Sequence, residues 1–238
     1  MVGTAIEFHL SPGIVYLREA SLKADPAALY DMRAVLSEVE RNRADRFRFD
    51  RHRRRFTVAH WVLRTELGRV LGRSPQTLHF ELGEYGKPHL EGGPAFNMSH
   101  SGDRMLLGVT ATGRLGVDIE EHRPVREMED LAEKKFAPDE AALLLATPAA
   151  EQEELFFRIW TRKEAYLKAL GRGLSLSLAS FSVDPEPHAE QALIRLETPG
   201  EALDGWQLKG LEVPGRAEAA VALDVEDFEV QRLVGAAG

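Results

Sequence analysis

The hydrophobic pattern of this chain runs through helices and then strands twice, and that order limits the folds open to it. Apolar residues first recur at helical spacing, and short apolar runs separated by Gly, Pro and Asp then indicate strands. The expected helices cover 26–39, 51–71, 138–145 and 151–170, and the expected strands 78–82, 96–99, 105–110, 115–120, 181–183, 192–196, 206–211, 219–223 and 229–233. The pattern predicts two α/β units joined near Gly113, although no repeat is visible residue by residue.

Composition excludes several classes of protein. The chain has 30 basic and 38 acidic side chains, a net charge of −8, which disfavours general binding to nucleic acid. Its longest purely apolar run, Ala141 to Ala146, is far too short for a membrane span, and no signal region opens the sequence. The absence of cysteine excludes disulfides, thiolate zinc sites and thiol nucleophiles. We expect a cytoplasmic protein that binds neither membranes nor nucleic acid.

A basic block interrupts this acidic composition. Between Arg41 and Arg55 lie eight arginines and two aspartates, a local balance of +6. The block is either a solvated helix face or a small site for a polyanion, because the arginine fork matches phosphate oxygens. Its short length suits one phosphate-rich ligand better than a length of nucleic acid.

Three carboxylates could form a site for a hard cation. Asp118 and Glu120 lie two residues apart on an expected strand, so they leave the same face of the sheet. Glu164 lies on an expected helix, four residues before Lys168. Oxygen ligands of this kind suit Mg²⁺ with positions left for substrate phosphates. The alternative is an exposed sheet face and an ordinary surface ion pair.

The segment from Asn97 to Gly102 ends a strand with several hydrogen-bonding groups. His100 is either a phosphate or acid–base group or, as a lone histidine, a structural one. Ser99 and His100 are adjacent and face opposite ways in a regular strand, which argues against a Ser–His nucleophile pair. No Walker loop, dinucleotide-binding glycine pattern or H-E-x-x-H sequence is present. The residues alone make a case for a magnesium-dependent enzyme acting on a phosphate-rich small molecule.

Four blocks, taken in order, resemble the 4′-phosphopantetheinyl transferases, specifically the long single-chain type that activates peptide and polyketide synthetases. They lie between Gly83 and Leu176 and read GEYGKPHL, FNMSHSGDRMLLGV, LGVDIEEHRP and FFRIWTRKEAYLKALGRGLSL. The resemblance implies transfer of the phosphopantetheine arm of coenzyme A to a serine of an apo acyl or peptidyl carrier protein. The other product would be adenosine 3′,5′-bisphosphate.

The resemblance also implies roles for individual residues. The Mg²⁺ ligands would be Asp118, Glu120 and Glu164. The coenzyme A contacts would be Arg43, Arg55, Lys87, Ser99, His100, Lys163 and Lys168. Lys168 and His100 would also act in catalysis, and Glu140, in F-A-P-D-E, matches a carboxylate proposed as general base. Phe56 departs from family members that carry a hydroxyl at this position.

The family fold implies an α+β protein of two similar subdomains, here 1–113 and 114–238, related by a pseudo-twofold axis. The active site would lie in the cleft between them, with the coenzyme A phosphate contacts on the first and the metal site on the second. A monomer is implied because both sides of one site come from one chain. Two alternatives stay open: a non-catalytic coenzyme A or carrier-protein binding module, and a Mg²⁺-dependent phosphodiesterase acting on a nucleotide.

Overall fold

The computed structural model describes residues 10–172 and 176–233 of the chain, so Gly173 to Ser175 of the last motif lie outside the described residues. None of the helices within these ranges is both long and apolar enough to cross a bilayer. The helices are α1 Pro26–Val35, α2 Glu38–Asp45, α3 Asp50–Leu71, α4 Met128–Lys135, α5 Pro138–Ala146 and α6 Ala149–Leu170.

Apart from β1, the strands follow the helices in two series, as the pattern predicted. They are β1 Ile14–Ser21, β2 Glu81–Leu82, β3 Pro88–His89, β4 Ala95–Ser101, β5 Arg104–Thr110, β6 Gly116–Glu121, β7 Phe181–Val183, β8 Leu193–Leu196, β9 Gln207–Leu211, β10 Ala217–Leu223 and β11 Glu229–Arg232. The mixed α/β fold expected from the sequence is confirmed.

The two halves of the chain have the same strand order. In the first, β1 pairs with β5 and β5 with β4, all antiparallel; in the second, β6 pairs with β10 and β10 with β9, also antiparallel. Each half places a 22-residue helix, α3 or α6, after two shorter helices. The division near Gly113 is not complete, because β11 crosses back and pairs with β1 in parallel.

The expected helix over residues 26–39 is in fact two helices. The Asp25 side chain accepts a hydrogen bond from the Ala28 N–H and begins α1, which ends before Ser37. Ser37 then begins α2 with a capping box: its hydroxyl accepts from the Glu40 N–H, and the Glu40 carboxylate accepts from the Ser37 N–H. This break rotates Val39 into solvent, where it is 78% exposed, whereas a single helix over residues 26–39 would place Val39 on its apolar face.

Neither β1 nor α4 was predicted from the sequence. Four consecutive residues of β1 are buried, so the strand lacks the alternation that marks a half-exposed one. Helix α4 is mostly polar, and Ala132 is its one buried residue.

A buried ion pair joins the helices of the first half. Glu40 lies under α3, where Arg64 Nε donates to its carboxylate at 2.6 Å and His60 Nδ1 lies 2.8 Å from it. Burial opposes ionisation, but the contacts with His60 and Arg64 prevail and lower the pKa of Glu40 to about 2. Arg64 also donates to the Leu78 carbonyl and so ties α3 to the segment before β2.

Candidate active site

The candidate site begins where the edge strands of the two sheets, β4 and β6, run side by side. Ser99 Oγ donates to Asp118 Oδ1 at 2.6 Å, and Ser101 Oγ donates to Glu120 Oε2 at 2.5 Å. Alternate residues of a strand share a face, so this two-residue spacing repeats on both strands. These contacts join Ser99 and Ser101 of one motif to Asp118 and Glu120 of the next.

Lys168 of α6 completes this cluster. Its Nζ donates to Asp118 Oδ1 at 2.6 Å and to Ser99 Oγ at 2.8 Å. The helix approaches this closely because Gly116 has no side chain: a Cβ there would overlap Ala165 O and Ala169 N of α6. A glycine inside a strand is typical of such close backbone approach.

The acidic side chains of the site are crowded and partly desolvated. Asp118 is 3% exposed, and its Oδ2 has no hydrogen-bond partner among the described residues. Burial raises the pKa of Asp118 despite the favourable charge of Lys168. Burial also raises the pKa of Glu164, and the negative charges of Asp118 and Glu120 raise it further. These carboxylates therefore lie close enough to repel one another.

The donor set fits a hard divalent cation in its chemistry. All three side chains offer carboxylate oxygens, and Asp118 Oδ2 is a buried acceptor without a donor. Within the described ranges, however, no three His, Asp or Glu side chains already surround one point. Two internal cations account for part of this: Lys168 contacts Asp118, and Arg123 donates to Glu120 Oε2 at 2.6 Å.

A cavity of about 320 Å³ lies beside Lys168 and Glu164, between the two halves of the chain. Its walls come from the β2–β3 hairpin and β4 on one side and from the end of α6 on the other. Tyr85, Pro88 and Met98 supply apolar surface to it. A cavity with an apolar wall and charged groups at one end suits a ligand with a ring and an anionic group.

Lys87 lines this cavity, but its ammonium is directed into the protein. Its Nζ donates to the carbonyls of Leu115 at 2.8 Å, Lys168 at 2.7 Å and Ala169 at 3.2 Å. Burial lowers the pKa of Lys87 to about 8. The role of Lys87 as a phosphate contact therefore stays a prediction, since its ammonium caps the last turn of α6 in this structure.

The other end of β4 carries His100, which is exposed. Partial desolvation lowers the pKa of His100, and the charges of Lys168 and Arg55 lower it further, so the imidazole is neutral at pH 7. Arg55 of α3 donates from Nε to Asp103 Oδ1 at 2.8 Å, in the turn between β4 and β5. Arg43 lies on α2, exposed, with its guanidinium 5.4 Å from the ring centre of Phe56.

Glu140 and Lys163 are not part of this cluster, contrary to the prediction. They form a fully buried ion pair, with Lys163 Nζ 2.7 Å from Glu140 Oε2. Glu140 also accepts from the Ala137 N–H and from a backbone N–H of β7, and Lys163 donates to the Leu178 carbonyl. The same arrangement joins Glu40 to Arg64 in the first half. Glu140 is therefore not placed to act as general base, and Lys163 is not placed to contact coenzyme A.

Two residues that shape the site, Arg123 and Gly116, were not predicted from the sequence. Arg123 follows β6 and, besides Glu120, donates to the Ser101 hydroxyl at 3.3 Å. Its position three residues after Glu120 was the available signal. Gly116 could have been recognised as a glycine inside a strand that faces a long helix.

The chain is similar to known proteins over much of its length. The model of the 4′-phosphopantetheinyl transferase superfamily matches residues 114–230, which include Asp118, Glu120, Glu164 and Lys168. The 4′-phosphopantetheinyl transferase HetI of Nostoc sp. is 42% identical over 215 residues, 88% of this chain and 87% of that protein. The 4′-phosphopantetheinyl transferase Sfp of Bacillus subtilis is 33% identical over 152 residues, 63% of this chain and 66% of that protein.

A solved structure with similarity to the chain is the holo-[acyl-carrier-protein] synthase of Thermotoga maritima. It has 22% sequence identity and a TM-score of 0.36, and the match covers 48% of this chain and 63% of that one.

Proposed function

The chain belongs to the 4′-phosphopantetheinyl transferase superfamily, and from this premise we propose that it transfers the 4′-phosphopantetheine arm of coenzyme A to a serine of an apo carrier protein. Adenosine 3′,5′-bisphosphate is the second product. The observation that carries the proposal is the Ser99–Asp118–Lys168 cluster, which stands beside a cavity between the two halves.

Coenzyme A binds with its nucleotide in this cavity. The apolar surfaces of Tyr85 and Met98 suit the adenine ring, and Lys168 lies near enough to meet the phosphates. His100 and Arg55 extend the site along the edge of β4, where Arg55 adds the arginine fork that matches phosphate oxygens. Arg43 lies beyond Phe56 and adds positive charge on the same approach.

Asp118, Glu120 and Glu164 hold Mg²⁺, and the unpartnered Oδ2 of Asp118 supports this assignment. When bound, Mg²⁺ neutralises charge on the pyrophosphate during the transfer. Ser99 and Lys168 orient the Asp118 carboxylate by holding its other oxygen. A carboxylate held in this way loses little entropy when it binds a ligand.

The reaction joins the serine oxygen of the carrier to the β-phosphorus of coenzyme A. The bond from this phosphorus to the bridging pyrophosphate oxygen breaks, and the electron pair leaves with adenosine 3′,5′-bisphosphate. The Lys168 ammonium stabilises the developing negative charge. Because Glu140 is buried away from the cluster, His100, which is neutral at pH 7, is the side chain that we assign to take the serine proton.

We propose in addition that the two halves are related by an approximate twofold axis and that one copy of the chain forms the whole site. The shared strand order and the matching Glu40–Arg64 and Glu140–Lys163 pairs support the relationship. The cavity supports the single-chain site, because its walls come from both halves.

Intact-mass measurement of apo carrier proteins tests the proposal. Purified protein, coenzyme A and Mg²⁺ should add one phosphopantetheine arm to a carrier, and EDTA should abolish the addition. Asp118→Ala should lower turnover by at least about 10²-fold, the usual loss for a key electrostatic group. Tight coenzyme A binding without transfer would favour the binding module, and hydrolysis of coenzyme A without a carrier would favour the phosphodiesterase.

A further inference from the structure

Arg123 lies at the junction of β4, β6 and α6, where it contacts all three elements. Its Nη1 donates to Glu120 Oε2 at 2.6 Å, to the Glu121 carbonyl at 3.0 Å and to Ser101 Oγ at 3.3 Å. Its guanidinium carbon lies 5.1 Å from the ring centre of Phe157. These contacts hold the guanidinium against Glu120, although the side chain as a whole is 54% exposed.

Lys168 has the same relation to Asp118 that Arg123 has to Glu120. Each places a positive group 2.6 Å from a carboxylate oxygen of the proposed metal site. Lys168 holds Oδ1 of Asp118 and leaves Oδ2 without a partner among the described residues. Arg123, in contrast, competes with a metal ion for Glu120, because a carboxylate oxygen held by an internal cation is less available to another cation. For Arg123 this competition is separable from substrate binding, because its contacts are with Glu120 and its neighbours rather than with the cavity.

We propose that Arg123 is a positioning residue that sets the divalent-cation affinity of the site by competing for Glu120. This inference rests on the proposed function, in which Asp118, Glu120 and Glu164 hold Mg²⁺. A cation that binds Glu120 must displace the guanidinium or bind beside it. This competition keeps the affinity of the protein for the metal ion low when coenzyme A is absent. The phosphates of coenzyme A then contribute a larger share of the free energy of metal binding.

The charges give the expected size of the effect. Two like unit charges 4 Å apart repel one another by the equivalent of about a 5-fold change in affinity even in bulk water, and a divalent ion doubles that repulsive free energy. The metal ion and the guanidinium lie further apart than about 4 Å, which weakens their repulsion. Loss of Arg123 should therefore tighten metal binding by at least about 5-fold.

The test uses Arg123→Gln and a matched control, Arg126→Gln. Arg126 is exposed, lies three residues further along the same loop, and its replacement changes the net charge equally. Binding of Mn²⁺ to the full-length protein without coenzyme A is followed by loss of the electron paramagnetic resonance signal of the free ion. Mg²⁺ competition in the same titration gives the Mg²⁺ affinity, and neither readout requires turnover.

The expected result is at least about 5-fold tighter binding in Arg123→Gln and less than about 2-fold change in Arg126→Gln. Unchanged affinity in Arg123→Gln, or equal tightening in both variants, would overturn the inference while leaving the metal site in place. If Asp118→Asn binds Mn²⁺ as tightly as the parent protein does, the metal assignment and this inference are both wrong. Transfer to a carrier, measured separately, shows whether the proposed function itself stands.

Discussion

Replacement of Gly116 by alanine tests the packing on which the whole site depends. Gly116 lies on β6 where α6 crosses it, and an added Cβ would overlap Ala165 O and Ala169 N and lie 3.0 Å from Ala169 Cα. All three are backbone atoms of one helix, so no side chain can rotate to make room. The helix must move away from the strand.

The structure sets the scale of that movement. Ordinary van der Waals contact requires 3.4–4 Å, so relief of the overlaps with backbone oxygen and nitrogen needs a shift of about 1 Å or more. Overpacking of this kind costs about 1–3 kcal/mol, and we expect at least about 2 kcal/mol here because backbone must move. For a chain of this length that lowers the melting temperature by roughly 4–8 °C.

The same shift should impair the reaction more than the fold. Lys168 and Glu164 lie on the segment of α6 that would move, and Lys168 contacts Asp118 at 2.6 Å. Misplacement of reacting groups by about 1 Å lowers rates by about 10²-fold. We therefore expect Gly116→Ala to lose about 10²-fold in transfer rate, at a temperature where circular dichroism shows it to be folded.

Gly205→Ala is the matched control. Its Cβ would meet no atom within 4 Å, and its backbone is not in the left-handed region. Thermal melting and intact-mass assays of both variants decide the matter. If Gly116→Ala melted and transferred phosphopantetheine like the parent protein, the argument that this glycine positions α6 would be refuted.

Three further predictions concern buried charge and the metal site. Glu140→Gln should lower the free energy of unfolding by about 3 kcal/mol, because it leaves Lys163 buried without a counter-charge. Urea denaturation measures this loss, and turnover per folded molecule should stay within about 2-fold of the parent value. The pKa of Glu40 is lowered to about 2, so its ionised form stabilises the fold fully above about pH 4.5. About 3 kcal/mol of the free energy of unfolding should be lost as the pH falls from there through 2. A free energy of unfolding that stays constant between those pH values would contradict the buried pair. Mg²⁺ should raise the melting temperature of the parent protein and leave that of Asp118→Asn unchanged, as scanning calorimetry can show.

Local rules explain why much of the fold was predictable. The cap at Asp25 and the glycine after α3 mark helix ends by hydrogen bonds and backbone conformation within a few residues. The same kind of rule put Asp118 and Glu120 on one face of β6, because a strand repeats every two residues. The split between α1 and α2 was missed even though Ser37 and Glu40 form a recognisable capping box.

Two residues that the resemblance placed in the site, Lys163 and Glu140, lie away from it because tertiary packing decides which face of a helix is buried. Lys163 and Glu164 are adjacent, but consecutive helical residues point about 100° apart, so one is buried beside Glu140 while the other lines the cavity. Glu140 has the sequence position of a helix-capping carboxylate, and that is the role it has in the structure.

The sequence by itself determined which residues are available for chemistry: the acidic pair on β6, Glu164 and Lys168 on one helix, and the motif order that identifies the family. The tertiary structure decided which of them meet. Lys168 reaches Asp118 across 50 residues of chain because α6 packs on Gly116, and Ser99 reaches it because β4 and β6 run side by side. Such contacts depend on the packing of whole elements, whereas caps and periodicity depend on a few neighbouring residues.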